Sequence, residues 1–279
     1  MDLPVKKAVV LLAVGEKYEK LLSTNISQFK SYAEKYNADL VVIKQKLDST
    51  NKRSSFYQKL LLPDHLKEYD ICVFFDIDIL INPDCPSLFD LLPENKGFGA
   101  VYSPRGSDKF KAFYSNRPEV LNETTETYFS SRNFPPPYSN LTGNINGGVF
   151  VFKPKLIAEA FKNYYFSDHS QGEKEAFEEA PMAYITQSLG LFFPLDEKFN
   201  TQFFYELYTP EGKNILKIKK NLFYKIINEI LIRIFKLPPD IIIFKKLRDF
   251  SQQILNNVYI LHFSGRMNPK LYSLKQEDK

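Results

Sequence analysis

The chain has 279 residues, 44% of them hydrophobic and 25% charged, with two cysteines and a net charge of +4. That length can bury a substantial core without staples, and Cys72 and Cys85 are spaced for neither a zinc site nor a disulfide framework, so a reducing compartment is the simple expectation. Ten Lys and Arg against Glu229 and Asp240 fall within residues 213–248; basicity this local excludes a nucleic-acid binder with a basic face throughout, and it marks one stretch as a candidate contact for an anionic surface.

Lys6 and Lys7 precede an apolar run at 8–14 that is short for a signal peptide and lacks a small-residue cleavage site, so it is expected as a buried first strand. No run approaches the ~20 apolar residues of a membrane span, which leads to the expectation of a cytoplasmic protein, at most peripheral to a membrane. Leu22, Ile26, Phe29, Ala33 and Tyr36 then share a helical face. A Val- and Ile-rich strand follows at 39–44, a helix at 54–66, and a continuously apolar strand at 71–75. Strand, helix, strand, helix, strand predicts an α/β fold on a parallel sheet.

Further strands are expected at 98–103, 147–152 and 258–262, and helices at 155–165 and 174–189, with a long irregular stretch around Pro135, Pro136 and Pro137. Residues 203–257 fit this rhythm poorly. Within them 222–237 is amphipathic until Pro238 and Pro239 stop it, with Lys225, Glu229, Arg233 and Lys236 on one face and Phe223, Ile227, Ile230 and Ile234 on the other. The expectation is a helix that packs its apolar side on the domain; a membrane-surface helix is the alternative.

Phe75-Asp76-Ile77-Asp78 ends the apolar strand, and the strand period of two points both carboxylates to one side and Ile77 to the other. Ligands of open α/β sheets bind at such strand ends, and a divalent cation with oxygen ligands relieves the repulsion of paired carboxylates. Such an ion can neutralise a diphosphate and stabilise its departure. Alone, Asp-x-Asp is a weak signal, because acids near a strand end are also common as solvated charge.

The stretch from Tyr69 to Ile81, followed by Leu88-Phe89-Asp90, resembles the metal-binding segment of family 8 glycosyltransferases, the glycogenin-like group with the GT-A fold. Three more elements match in order: Tyr18 after the first strand, Asn146-Gly147-Gly148-Val149-Phe150-Val151-Phe152, and His262-Phe263-Ser264-Gly265-Arg266. Each has a physical rationale. Tyr18 offers a flat face for a base, the two glycines let a sugar approach the backbone, and His262 can ligate a metal through a neutral imidazole.

The resemblance covers most of 7–202 and 258–270 and implies one GT-A domain over 1–279, a Rossmann-like nucleotide-binding sheet flanked by helices. Residues 1–103 would form the nucleotide- and metal-binding half, 104–202 and 258–270 the acceptor side and C-terminal metal motif, and 203–257 a basic amphipathic insertion. It implies transfer of a hexose, with retention, from a UDP-sugar such as UDP-glucose or UDP-galactose to a glycan, lipid-linked or protein acceptor. The implied ion is Mn2+, or alternatively Mg2+, on Asp76, Asp78 and His262. Implied donor contacts are Ala13, Tyr18, Arg53, Lys59, Ile77, Gly147, Gly148, Gly265 and Arg266, with Glu179 and Asn146 at the reacting sugar.

Two departures from the family pattern stand out. Glu179-Ala180 replaces an Asp-Gln pair on the helix after the Asn-Gly-Gly strand, and Asn268-Pro269-Lys270 replaces Lys-Pro-Trp, which leaves Arg266 or Lys270 to contact phosphate. Residues 203–257 have no counterpart. Two other classes compete. A haloacid dehalogenase-like phosphatase also ends a strand in Asp-x-Asp, but it wants that motif near the N-terminus and a downstream acid pair, for which only Asp196-Glu197 is available. A non-catalytic sugar-nucleotide-binding module is suggested by the missing lysine and amide.

Overall fold

A computed structural model describes residues 4–50, 54, 56–167, 177–264 and 271. Its strands are β1 (Lys7–Leu12), β2 (Asp39–Ile43), β3 (Ile71–Phe75), β4 (Ile79–Ile81), β5 (Phe98–Tyr102), β6 (Ile145–Phe152), β7 (Phe192–Pro194), β8 (Thr201–Gln202) and β9 (Ile260–His262). Six of them form a sheet in the order β2-β1-β3-β6-β5-β7, and the other three form a small sheet, β4-β9-β8. β1 lies parallel to β2 and β3, but β6 runs antiparallel between β3 and β5. The large sheet is therefore mixed rather than parallel. The cause is the connection before β6, because residues 103–144 leave β5 and return to β6 at the same end of the sheet, closed by the Ser103 N–H donating to the Asn144 carbonyl at 2.9 Å.

Alternation along the central strands divides the core. Phe74, Phe98, Phe150 and Phe152 face one side with Phe161 and Tyr165 of the helix Pro154–Phe166. Val73, Phe75, Val149 and Val151 face the other, with Leu22, Phe29 and Ala33 of the helix Glu16–Lys35. Rings of Phe74 and Phe98 stack on Phe150 with centroids 4.7 and 5.2 Å away, and buried aromatic pairs of this kind add to plain area burial. Cys72 and Cys85 are buried and free.

The helix expected at 54–66 is instead a 3-10 turn, Phe56–Leu61, followed by Leu62–His65, with Pro63 in the first turn of the latter, where its missing N–H costs nothing. The helix expected at 174–189 is described as Glu179–Ser188. The irregular stretch after β5 contains three short helices, Asp108–Phe113, Pro118–Leu121 and Thr125–Ser130.

Residues 203–257 form a helical layer on the small sheet, where Leu247, Phe250 and Leu255 of the helix Phe244–Leu255 pack with Leu80, Leu261 and Phe263. The helix Leu222–Arg233 buries none of its residues, and Phe223 is 78% exposed. The apolar side expected to pack on the domain faces outward instead. Among the described residues no helix is long and apolar enough to cross a membrane.

Candidate active site

The turn after β3 is held from three directions. The Asp76 N–H donates to the Gly148 carbonyl at 2.7 Å, and the Asp78 carbonyl accepts from the Phe263 N–H at 2.9 Å. From the helix Glu16–Lys35, the Asn25 amide donates to the Ile77 carbonyl, while Gln28 donates to the Ile79 carbonyl at 2.9 Å and accepts from the Ile81 N–H at 2.8 Å. Ile77 is buried in the core beneath the turn, so Asp76 and Asp78 are directed together away from it, as alternation requires.

His262 reaches these carboxylates because β9 pairs with β4, with His262 opposite Ile79. Its Nε2 lies 3.4 Å from Asp78 and 3.9 Å from Asp76. One ligand atom from each of Asp76, Asp78 and His262 lies within 4.8 Å of the others. Asn200, buried before β8, fixes the ring. Its amide nitrogen donates to Asn146 Oδ1 at 2.5 Å, which turns its own Oδ1 toward His262 Nδ1 at 3.0 Å. With Nδ1 donating to Asn200, Nε2 faces the carboxylates and Ser264 Oγ at 3.1 Å, and it is the nitrogen that could bind a metal once its proton is lost.

The electrostatics fit a cation. Burial raises Asp76 to about 6, opposed by Lys59 and increased by the like charge of Asp78. Burial works against a proton on His262, yet the Asp78 and Asp76 carboxylates raise its pKa above the ordinary range. Asp76 and His262, both raised, with a second carboxylate beside them, form a site that a divalent ion would relieve.

Lys59 is 3% exposed and saturated by acceptors: Glu178 at 2.7 Å, Asp76 at 3.0 Å and the Gly147 carbonyl at 3.0 Å. Burial alone would lower its pKa, but Asp76 and Glu178 raise it, so it is a permanent cation beneath the site. Glu179 accepts from the Gly147 N–H at 3.0 Å and the Asn146 amide at 3.3 Å. Burial, followed by the charge of Glu178, raises Glu179 to about 7.

The structure thus gathers Lys59, Asp76, Asp78, Asn146, Gly147, Gly148, Glu179 and His262 in one place. Ala13 is fully buried at the end of β1, with its N–H donating to the Ile43 carbonyl at 2.8 Å. Tyr18, in the first turn of the helix Glu16–Lys35, is partly buried against the side of the core that holds Phe29 and Phe75. Arg53, Gly265, Arg266, Asn268 and Lys270 lie outside the described residues. Three residues were missed from sequence. Glu178 had a visible signal as the neighbour of Glu179, whereas Asn25 and Asn200 are ordinary asparagines until packing places them. Glu178 pairs with Lys59 beside Glu179, and Ala180, where the family pattern has an amide, lies in the core.

The sequence matches the family model described as glycosyl transferase family 8 over residues 2–271, and the chain belongs to that family. It is accordingly a glycosyltransferase, which sets aside the phosphatase and the non-catalytic binding module. Several solved structures share its GT-A fold. A glycosyltransferase involved in the glycosylation of the major capsid of PBCV-1 is 11% identical, covering 96% of this chain and 97% of that one, with a TM-score of 0.53. The galactosyltransferase LgtC, in complex with donor and acceptor sugar analogs, is 13% identical over 98% of this chain and 97% of its own, with a TM-score of 0.52. The glycosyltransferase GlyE of Streptococcus pneumoniae TIGR4 is 16% identical with a TM-score of 0.50; the match covers 98% of this chain and 61% of GlyE. No curated protein sequence matches the chain.

Proposed function

We propose that this glycosyltransferase moves a hexose from a UDP-sugar, UDP-glucose or UDP-galactose, to an acceptor on a glycan, lipid or protein, with retention at the anomeric carbon. The observation that carries the reading is the convergence of one ligand atom each from Asp76, Asp78 and His262 within 4.8 Å. These three would hold Mn2+, or Mg2+ in its place, and the ion would offset the negative charge of a departing nucleoside diphosphate. Residues 1–103 would then supply most of the nucleotide and metal contacts, with 104–202 and 258–270 shaping the acceptor side.

The chain's own groups have separable roles. Lys59 holds Asp76 in place and offsets part of the charge of the carboxylate cluster. Asn146 and Gly147 present the Glu179 carboxylate on the surface where Asp76 and His262 meet. There it can orient the donor sugar, or stabilise positive charge developing at its anomeric carbon as the acceptor attacks from the face the diphosphate leaves. Gly147 and Gly148 keep side chains out of that space. Ala13, Tyr18, Ile77, Arg53, Gly265 and Arg266 are assigned to donor binding on the strength of the family resemblance.

Turnover of a panel of UDP-sugars with and without Mn2+ tests this. Asp76→Asn and Asp78→Asn should each abolish metal-dependent turnover with circular dichroism unchanged, and His262→Ala should act in the same direction but less severely. Near-native rates with Mn2+ in either aspartate variant would overturn the metal assignment.

A further inference from the structure

Nine of the fifteen large apolar side chains exposed among the described residues lie between Leu222 and Ile242. On the helix Leu222–Arg233, after the exposed Leu222, Phe223, Ile226, Ile227 and Ile230 share one exposed side, extended by Ile234. The opposite side of the helix is fastened down. Asp240, 4% exposed, accepts from the Tyr224 hydroxyl at 2.6 Å and the Lys219 ammonium at 2.5 Å, and its N–H donates to Asn228 at 2.9 Å. The helix is therefore held by its polar side with its apolar side outward, the reverse of the ordinary arrangement.

Basic side chains border the stripe. Lys225, Arg233 and Lys236 are exposed along one edge, and Lys217 and Lys220 project from the preceding helix, Lys213–Lys220. The acids nearby are spent, Glu229 on Arg233 at 2.8 Å and Asp240 on Lys219. A soluble surface seldom keeps so large an apolar patch without a partner. A second copy of the chain is disfavoured as that partner, because a two-fold contact would bring this basic rim against itself.

We propose that this face docks on a bilayer carrying anionic lipid, with Phe223, Ile227 and Ile230 entering the interface and the lysine and arginine rim lying among the headgroups. Apolar insertion and cationic attraction are each weak alone and add when they act on one surface. The helix Phe244–Leu255 packs with Leu261 of β9, the strand that ends in His262, so docking would fix the glycosyltransferase site relative to the membrane plane. The inference stands apart from the donor and metal assignments.

Co-sedimentation of the full chain with phosphatidylcholine vesicles, with and without phosphatidylglycerol, is the test. Binding should require phosphatidylglycerol and weaken as salt is raised. Phe223→Ser, Ile227→Ser and Ile230→Ser combined should lower partitioning by at least about 100-fold while the melting temperature stays put, since these side chains are exposed. Lys225→Ala with Arg233→Ala should lower it roughly 30-fold at low salt. Absence of binding at low salt, or equal binding by the triple serine variant, would overturn the proposal. A dimer in sedimentation that dissociates in the triple variant would also overturn it and assign the face to a second copy.

Discussion

Gly148 and His262 touch so closely that a methyl group on the glycine would stand 2.5 Å from the imidazole Nδ1. The second glycine of the Asn-Gly-Gly strand is thus the floor under the histidine of a strand far along the chain. Gly148→Ala should push the ring off Asn200, cost about 1–3 kcal/mol of stability, and weaken Mn2+ binding about 10- to 100-fold. Thermal melts and Mn2+ titration read the two effects separately. Unchanged metal affinity in a folded variant would remove His262 from the ligand set.

Glu178 and Lys59 are almost fully buried, so neither can be compensated by water. Glu178→Ala leaves the ammonium with Asp76 and the Gly147 carbonyl and should destabilise the metal-free protein by about 3 kcal/mol, at the low end for breaking a buried pair because one carboxylate partner remains. Urea denaturation measures it. A loss under about 1 kcal/mol would show the pair to be solvated.

The raised pKa values give a signed pH dependence. Glu179 shifts from an ordinary 4.5 to about 7 and Asp76 from 3.8 to about 6, so the native state binds these protons more tightly than the unfolded chain. Stability from both is present at low pH and is lost as pH rises through those intervals. His262, also raised, adds a loss in the same direction above its ordinary 6.5. With chelator present, the melting temperature should fall between about pH 4 and 7. Mn2+ should reverse the trend, because its ligands must give up their protons. Glu179→Gln should flatten the metal-free curve and remove an activity limb near pH 7; a profile identical to that of the unaltered protein would exclude Glu179 from the reaction.

Asn200 touches neither carboxylate of the cluster, yet its Oδ1 lies 3.0 Å from His262 Nδ1, where it favours a proton on that nitrogen. Asn200→Leu should leave the ring free to present the wrong tautomer and lower Mn2+ affinity by about 10- to 100-fold, with kcat at saturating metal less affected. A fall in kcat with unchanged metal affinity would instead place Asn200 at the sugar.

Much of the fold could be read because its signals are local. The fully apolar β3 announces burial on both faces, and the stripe of Leu22, Phe29 and Ala33 announces a covering helix. The direction of β6 could not be read, because it depends on how the excursion at 103–144 returns, and no local pattern encodes that. At the site, Asp76, Asp78 and His262 were legible as motifs. Asn25 and Asn200 act through hydrogen bonds to residues remote in sequence, and a single asparagine looks the same whether buried or exposed. The stripe at 222–234 showed its amphipathicity but not its orientation, which the Asp240 clasp decides.

β8 and β9 lie side by side in parallel, with Gln202 opposite His262. Parallel neighbours cannot be joined by a tight turn, so the chain needs a crossover of a dozen residues or more between them whatever else it does. The helices of 203–257 occupy that obligatory span. Lengthening such a span costs little, about 0.6 kcal/mol for each doubling, while the register at its two ends stays fixed by the sheet. This span is therefore a place where a whole surface can be exchanged for another over evolutionary time while His262 returns to the same position beside Asp78.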